Sequence, residues 1–462
     1  MRPNDPLFGD QWALDLVRAT EAWEIHTGSP DVVIAVIEPG IGVDHPDLDG
    51  QLLKGWDIWD DDDSLEDSSK PRKFKDSTDH GAHVCGIIAA RSNNGVGISG
   101  LAPDCKILPI RSFTYDDENL AKAIRFAVDA GSRVINLSDG GYMYNIKHSL
   151  PARFSAWNPP PSDELIRACE YAYQADVFVA TSTGGNQAHN VAKYSGLCPG
   201  VMVVASADRH GRMSDFNDYG DTIQVAAPAG WRGFDLEAEP SRRILPLTSP
   251  GVIDEAVGDR GQTEYGVLST ITPEHGRYAE WNGGCMAIPH VSALAALIRS
   301  KHPALGVDEI KAVIRNTANQ PAGDGLGWNP YVGHGTIDAF EALCVDRVET
   351  DLEIDSVQIV GVDRGVGTAS VTVVNRGVFD ATNIAVNLFD AEPGEGGGKQ
   401  LAFAIVDIVP GRERAEARLP FWIPDGMETL VAVCDPRGQL SARQREVGVH
   451  YSTDSVRLAV AV

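Results

Sequence analysis

The chain has 462 residues, 43% of them apolar, with a formal charge of −26 and an isoelectric point of about 4.8. That length carries one large domain and a smaller one, each with its own core, in an ordinary globular composition. The acidic balance excludes nucleic acid as a main partner, because phosphate contacts need clustered Lys and Arg.

No window approaches about 18 apolar residues, so no membrane-spanning helix and no membrane partner are expected. Residues 1–30 hold several charges, and the apolar run at 32–37 is too short for a secretory h-region. The cysteines at 85, 105, 169, 198, 285, 344 and 434 are odd in number and irregular in spacing, with no CxxC or Cys/His cluster of the zinc kind. Free thiols in a reducing, cytoplasmic setting are the expectation. Export, with a pro-segment lying outside this sequence, is the alternative.

In chain order, the strand candidates are VVIAVI (32–37), KILPI (106–110), VINLS (134–138), VFVATS (177–182), VMVVASA (201–207) and IQVAAP (223–228). They are continuous, rich in Val and Ile, and end in Gly, Asp or Ser, as strands buried on both faces do. Helical patterns fall at 117–130, 162–175, 286–301, 307–318 and 336–344. The alternation predicts an α/β fold over 1–347, a mostly parallel sheet with helices on both faces. Ligands then bind beyond the carboxyl ends of the strands, where Glu38, Ser138 and Gly184 lie. Segments 142–162 and 230–264 read as surface insertions. From 348 to 462 the pattern becomes alternating strands with turn signals, including 369–375, 383–389, 428–434 and 455–462. That spacing predicts a C-terminal antiparallel β-sandwich.

Four segments carry chemistry. VIEPGIGVDHPDL (36–48) is a strand followed by a carboxylate turn. DHGAHVCGIIAA (79–90) opens a helix of small residues on a histidine. NGGCMAIPHVSALAALI (282–298) runs from a Gly-Gly-Cys turn into an apolar helix. A thiol at a helix start meets free N–H groups and a positive dipole end, which favour its anion. An imidazole beside it can hold the thiolate and later protonate a leaving amine, and a carboxylate behind the imidazole fixes its tautomer. Gly283 and Gly284 allow close backbone approach. The fourth segment, VATSTGGNQ (179–187), offers the Asn186 amide to an oxyanion, with the Cys285 N–H as second donor.

These blocks, with VINLSDGG, VAAPAG and YVGHGTIDAFEAL, resemble those of the subtilisin-like peptidases (subtilases, of S8 type) over residues 3–345. The start PNDPLF and the run GWDIWDDDD resemble the thermitase branch. The resemblance implies Cys285 as nucleophile where the family has serine, His80 as base and acid, Glu38 as orienter where the family has aspartate, and Asn186 as oxyanion donor. Gly284 stands where the family has threonine. Ser138, Asp139 and Gly140 would pair with an extended peptide or protein substrate, with Gly184 on the facing wall. Lys193 would stand at the base of the main specificity pocket, or as a surface lysine. A structural calcium ion is implied at Asp5, Asp47 and Asn94, with the carbonyls of Val96 and Ile98. Asp57, Asp60 and Asp62 have the spacing of a second, weaker site, with a solvated acidic loop as the other reading. No organic cofactor is implied. The expected activity is endopeptidase cleavage through an acyl-thioenzyme. Acyl transfer to an amine, as in a ligase or cyclase, and peptide binding without catalysis stay open beside it.

Overall fold

The computed structural model describes residues 2–65, 77–112, 117–138, 162–183, 198, 200–220, 222–231, 266–319, 328–345, 350–363, 365–375, 381–390, 399–409, 413–424, 429–434, 449–450 and 453–457. They form two compact units, Met1–Cys344 and Val345–Val462.

In the first unit, α1 (Trp12–Leu16) and α2 (Ala19–Ala22) precede β1 (Val33–Glu38), β2 (Trp56–Asp57) and α3 (Ser77–Ala89). Then come β3 (Lys106–Arg111), α4 (Asp117–Asp129), β4 (Val134–Leu137), α5 (Asp163–Gln174), β5 (Phe178–Ser182), β6 (Val201–Ala207) and β7 (Val225–Pro228). A hairpin of β8 (Val267–Thr270) and β9 (Tyr278–Trp281) leads into α6 (Gly284–Lys301), α7 (Val307–Asn316) and α8 (Ala339–Leu343). The first seven strands form one parallel sheet in the order β2-β3-β1-β4-β5-β6-β7. The α/β expectation therefore holds, with strand bounds within two residues of those read from the Val/Ile runs.

Alternation along the strands separates two faces. Ala35, Ile37, Ile135, Leu137 and Val179 pack with Leu120 and Ile124 of α4 and Leu165 and Ala168 of α5 in one buried cluster. α5 starts cleanly because the Ser162 side chain accepts from the Leu165 N–H at 3.2 Å, satisfying one of the free donors of its first turn. On the opposite face α6 crosses β4 to β7 and packs against α3. Nearly all of α6 is buried, so its apolar surface runs all round rather than along one stripe. The β8–β9 hairpin has no counterpart in the sequence reading. Its strands are only four residues each, and VLST and YAEW lack the continuous Val/Ile signature.

The second unit holds β10 (Thr350–Asp363), β11 (Val366–Asn375), β12 (Ala381–Phe389), β13 (Gln400–Val409), β14 (Arg414–Trp422), β15 (Thr429–Cys434), β16 (Val449–His450) and β17 (Thr453–Arg457). They make two sheets, β14-β11-β10-β16 and β13-β12-β15-β17. Ile354, Val371, Val373, Val386, Leu388, Leu419 and Leu430 fill the space between them. β11 alternates buried and half-buried residues along its whole length, the period of a strand with one face in the core. All pairs are antiparallel except β16, whose two residues run parallel to Thr350 and Asp351 at a sheet edge.

Candidate active site

β1 lies between β3 and β4, so the connections on either side of it leave in opposite directions and a crevice opens beyond its carboxyl end. Glu38 is the last residue of β1. His80 lies in the first turns of α3, and Cys285 in the first turn of α6. Residues 42 and 205 positions apart along the chain from His80 are thus delivered to one place by two elements that contact each other.

Glu38 Oε2 lies 2.8 Å from His80 Nδ1. The carboxylate is 1% exposed and the imidazole 13%. Cys285 is half-buried and close enough to His80 to bear on the charge of its imidazole. Burial alone would lower the His80 pKa. The negative charge of Glu38, hydrogen-bonded at Nδ1, and the Cys285 sulfur beside the ring outweigh it and hold His80 well above the usual imidazole value of 6.5. The extra methylene of glutamate is accommodated within the Nδ1 contact. It leaves Glu38 Oε1 buried with no donor among the described residues.

The first-turn N–H groups of α6, that of Cys285 included, have no intrahelical acceptor by construction of the helix. Gly283 enters the helix at φ +153°, a conformation that a side chain would strain. Gly81, directly after His80, is required for another reason: a Cβ there would stand 2.2 Å from the Gly40 carbonyl oxygen, so the β1 turn could not approach α3.

Two residues absent from the sequence reading support the imidazole. Trp281, at the end of β9, stacks on His83 with ring centroids 4.9 Å apart and planes 6° apart, and it also faces His80 at 6.2 Å. His83 is fully buried, which, with the charge of His80, lowers its pKa to about 3 and keeps it neutral, and its Nε2 meets the Ala279 carbonyl at 3.1 Å. Asp79, the residue before His80, accepts from the Thr272 N–H at 2.8 Å and lies 2.6 Å from His275 Nδ1. Both contacts fasten the β8–β9 hairpin to α3. The aromatic directly ahead of the NGGC turn was the available signal for Trp281. His290 is structural: it is buried, its pKa lowered to about 4 by desolvation, with Nδ1 on the Met286 carbonyl.

Of the substrate-channel residues, Ser138 is described. Its side chain is fully buried, and its Oγ accepts from Asn136 Nδ2 at 2.6 Å, while Ser292 of α6 donates to Asn136 Oδ1 at 2.9 Å. This chain of bonds ties the end of β4 to α6. Asp139, Gly140, Gly184, Asn186 and Lys193 lie outside the described residues.

The cation expectations divide. Asp5 and Asp47 are buried, and both face the loop at 93–99. Asp5 accepts from the N–H groups of Asn93, Asn94 and Gly95 and from Ser99 Oγ. Asp47 accepts from Asn94 Nδ2, the Ile98 N–H and Tyr278 Oη. All these donors are neutral. Two buried carboxylates on one loop, balanced by no cationic side chain among the described residues, fit a hard cation. The Val96 N–H donates to Asn94 Oδ1 at 2.8 Å, so the loop is also closed by its own polar groups.

The second acidic set has protein partners of its own. Asp57 and Asp60 both contact Arg111 Nη1, Asp60 at 3.0 Å, and Asp62 accepts from the Ser64 N–H. A buried guanidinium takes the place that a cation would need. Among the described residues no group of three or more His, Cys, Asp or Glu is gathered for a metal.

All seven cysteines are free. Cys85 is fully buried, and desolvation pushes its thiol far above its usual range, in keeping with an inert core thiol. Among the described residues no helix is long and apolar enough to cross a membrane.

Comparison with known proteins agrees with the architecture. A family model described as the subtilase family, Peptidase S8, matches residues 29–335. Thermitase of Thermoactinomyces vulgaris is 29% identical over 346 residues, 74% of this chain and 99% of that protein. A halolysin-like extracellular serine protease of Natrialba magadii is 29% identical over 353 residues, 74% of this chain and 53% of that protein. Among solved structures, a protease from Pseudoalteromonas arctica superimposes with a TM-score of 0.58 at 28% identity, covering 74% of this chain and 99% of that one.

Proposed function

This chain belongs to the subtilase family, and from that premise we propose that it is an endopeptidase whose nucleophile is the Cys285 thiolate. The observation that carries the reading is the meeting of Glu38, His80 and Cys285, with 2.8 Å between carboxylate and Nδ1 and the Cys285 thiol beside the imidazole. The thiolate attacks the scissile carbonyl, and the developing oxyanion is held by the Cys285 N–H and Asn186. His80, kept protonated by its neighbours, delivers its proton to the leaving amine. A water deprotonated by His80 then releases the acyl group from sulfur. Glu38 keeps Nδ1 protonated and the ring aimed throughout. The substrate is an extended peptide or protein, paired by its main chain along 138–140 and opposite Gly184. Lys193 would favour an acidic residue just before the scissile bond.

Digestion of a peptide library by the protein, with and without a thiol alkylating reagent, tests the reading. Cleavage that stops once Cys285 is alkylated supports it. Undiminished cleavage by fully alkylated protein rejects it. A thioester also reacts with amines, so the same library with added amine reads acyl transfer directly.

The pH profile follows from His80. Its imidazolium is needed in the acylation step, so kcat/KM falls as pH rises through the raised pKa. The descending limb is expected above the ordinary imidazole value of 6.5. Glu38→Gln removes the largest charge that raises it, so the limb moves to lower pH. Superimposable limbs for Glu38→Gln and the parent would contradict the orienting role.

Asp5, Asp47 and Asn94, with Val96 and Ile98, would hold calcium, whose charge would fasten the N-terminal segment to the 93–99 loop and do no chemistry at the thiol. Saturating calcium at about 100 times its dissociation constant should stabilise by roughly 2.7 kcal/mol. A chelator should remove that increment, and Asp47→Asn should abolish it. Identical unfolding midpoints with calcium and with chelator would dismiss the site.

Export replaces the cytoplasmic expectation. It is supported by the extracellular relative of Natrialba magadii, and free thiols by themselves do not decide the compartment.

A further inference from the structure

The β8–β9 hairpin is bonded to α3 at three points. Ser269 Oγ donates to the His83 carbonyl at 2.7 Å, and Thr270 Oγ1 donates to the Ala82 carbonyl at 2.6 Å. The third point is Asp79, whose carboxylate is 6% exposed. Its Oδ1 accepts from the Thr272 N–H at 2.8 Å and also from the Thr272 hydroxyl, and its Oδ2 meets His275 Nδ1 at 2.6 Å. Thr272 Oγ1 and His275 Nδ1 are 3.1 Å apart, so the three side chains close one polar cluster. A single 3-10 turn, Pro273–His275, opened by its proline and ended by Gly276 at φ +117°, brings Thr272 and His275 round to the same carboxylate. Thr272 also reaches the turn after β1. A Cβ on Gly42 would stand 2.6 Å from Thr272 Cγ2, and the Gly42 N–H donates to the Thr78 carbonyl at 2.9 Å. The cluster therefore touches the chain that follows Glu38, the residue that precedes His80, and the hairpin that runs on into Trp281 and Cys285. An acidic residue in the first turn of a helix often serves only the helix dipole. Here both carboxylate oxygens are engaged by another element.

We propose that Asp79 is a positioning residue for the reaction: clamped by Thr272 and His275, it fixes where the His80 imidazole stands between Glu38 and Cys285. The proposal rests on the endopeptidase reading above. Asp79 acts through His80 rather than on substrate. One route is the backbone it shares with His80, and the other is the hairpin, whose last residue, Trp281, faces the His80 ring at 6.2 Å. Without the clamp, the start of α3 and the hairpin turn shift independently, and a ring displaced by about 1 Å can cost about 100-fold in rate. The groups bearing on the charge of His80 are Glu38 of β1, Cys285 of α6 and, on its own helix, Asp79 and the neutral His83. Behind Asp79 stands His275, with Glu274 at 4.0 Å from its Nε2.

The test compares Asp79→Ala, Asp79→Asn and Thr272→Val in the full chain, by kinetics on one fluorogenic peptide and by the pH titration of the His80 ring protons in NMR spectra. Asp79→Ala should lower kcat about 10–100-fold with KM unchanged. Its His80 titration should move down toward 6.5, because an imidazole that drifts from Glu38 loses the contact that raises it. Asp79→Asn keeps an oxygen for Thr272 and offers an N–H to His275 Nδ1, so it should recover most of the rate and the parent titration. Thr272→Val keeps the shape and the main-chain N–H. It should lower kcat less than Asp79→Ala does, and add little to it in the double variant. If Asp79→Ala does not fold, Thr272→Val decides by the same two readouts. Parent-like kcat and titration in a folded Asp79→Ala or Thr272→Val, whatever the loss of stability, would overturn the proposal. So would an Asp79→Asn that behaves like Asp79→Ala, which would make the charge and not the clamp responsible. A parent that cleaves no peptide would reject the endopeptidase reading instead, and the His80 titration would still decide the role of Asp79.

Discussion

Cys285→Ala is expected to lower kcat by about a million-fold, the scale on which triad enzymes lose turnover without their nucleophile, or about 8 kcal/mol of barrier. The residue left over is the roughly 10³–10⁴-fold that binding and oxyanion donors supply unaided. The fold should be untouched, because Cys285 is half-buried and α6 is held by the apolar residues beyond it. Cys285→Ser gives the sharper comparison. Serine keeps the volume and position but cannot ionise against His80, so the site must work by general base catalysis through an orienter one methylene longer than aspartate. Its rate should fall between the parent and Cys285→Ala, and alkylating reagents that silence the parent should leave it alone. Steady-state kinetics on one fluorogenic peptide, before and after iodoacetamide, reads all of this. Parent-like activity in Cys285→Ala would move the nucleophile elsewhere.

The second large effect is on stability. Arg111→Met is expected to destabilise the first unit by about 3–5 kcal/mol. Arg111 is 4% exposed and Asp57 is fully buried, so removing the guanidinium strands a carboxylate in the core, with exposed Asp60 close by. Arg111 Nε also donates to the Pro39 carbonyl at 3.0 Å, directly after Glu38, so kcat should fall as well as stability. Asp57→Asn added to Arg111→Met should restore much of the stability, because the orphan charge is gone, without restoring the Pro39 contact or the rate. Urea unfolding followed by tryptophan fluorescence measures the stability part. A change for Arg111→Met within about 0.5 kcal/mol, the scale of an ordinary surface substitution, would show that the ion pair contributes nothing.

Trp281 and His83 bear on the same chemistry from behind. A neutral, desolvated His83 stacked against Trp281 adds no charge beside His80, so the field on the imidazole comes from Glu38 and Cys285. The raised His80 pKa is thus a property of the triad itself rather than of its surroundings.

The sequence by itself determined the alternation of Val/Ile strands and helices, the antiparallel second unit, and the three chain positions that meet at the site. Those signals are local. A buried parallel strand, a Ser162 cap and a Gly-Gly-Cys helix start each declare themselves within a few residues. Only the tertiary structure decided that Arg111 answers Asp57 and Asp60, so that a spacing suited to a cation belongs to an ion pair. It also decided that Trp281 lies on His83. Such partners lie from 51 to nearly 200 residues apart along the chain, and no period or spacing encodes them. Their meeting is set by how helices seat on the sheet, and packing contacts of that kind act only once the chain has closed around them.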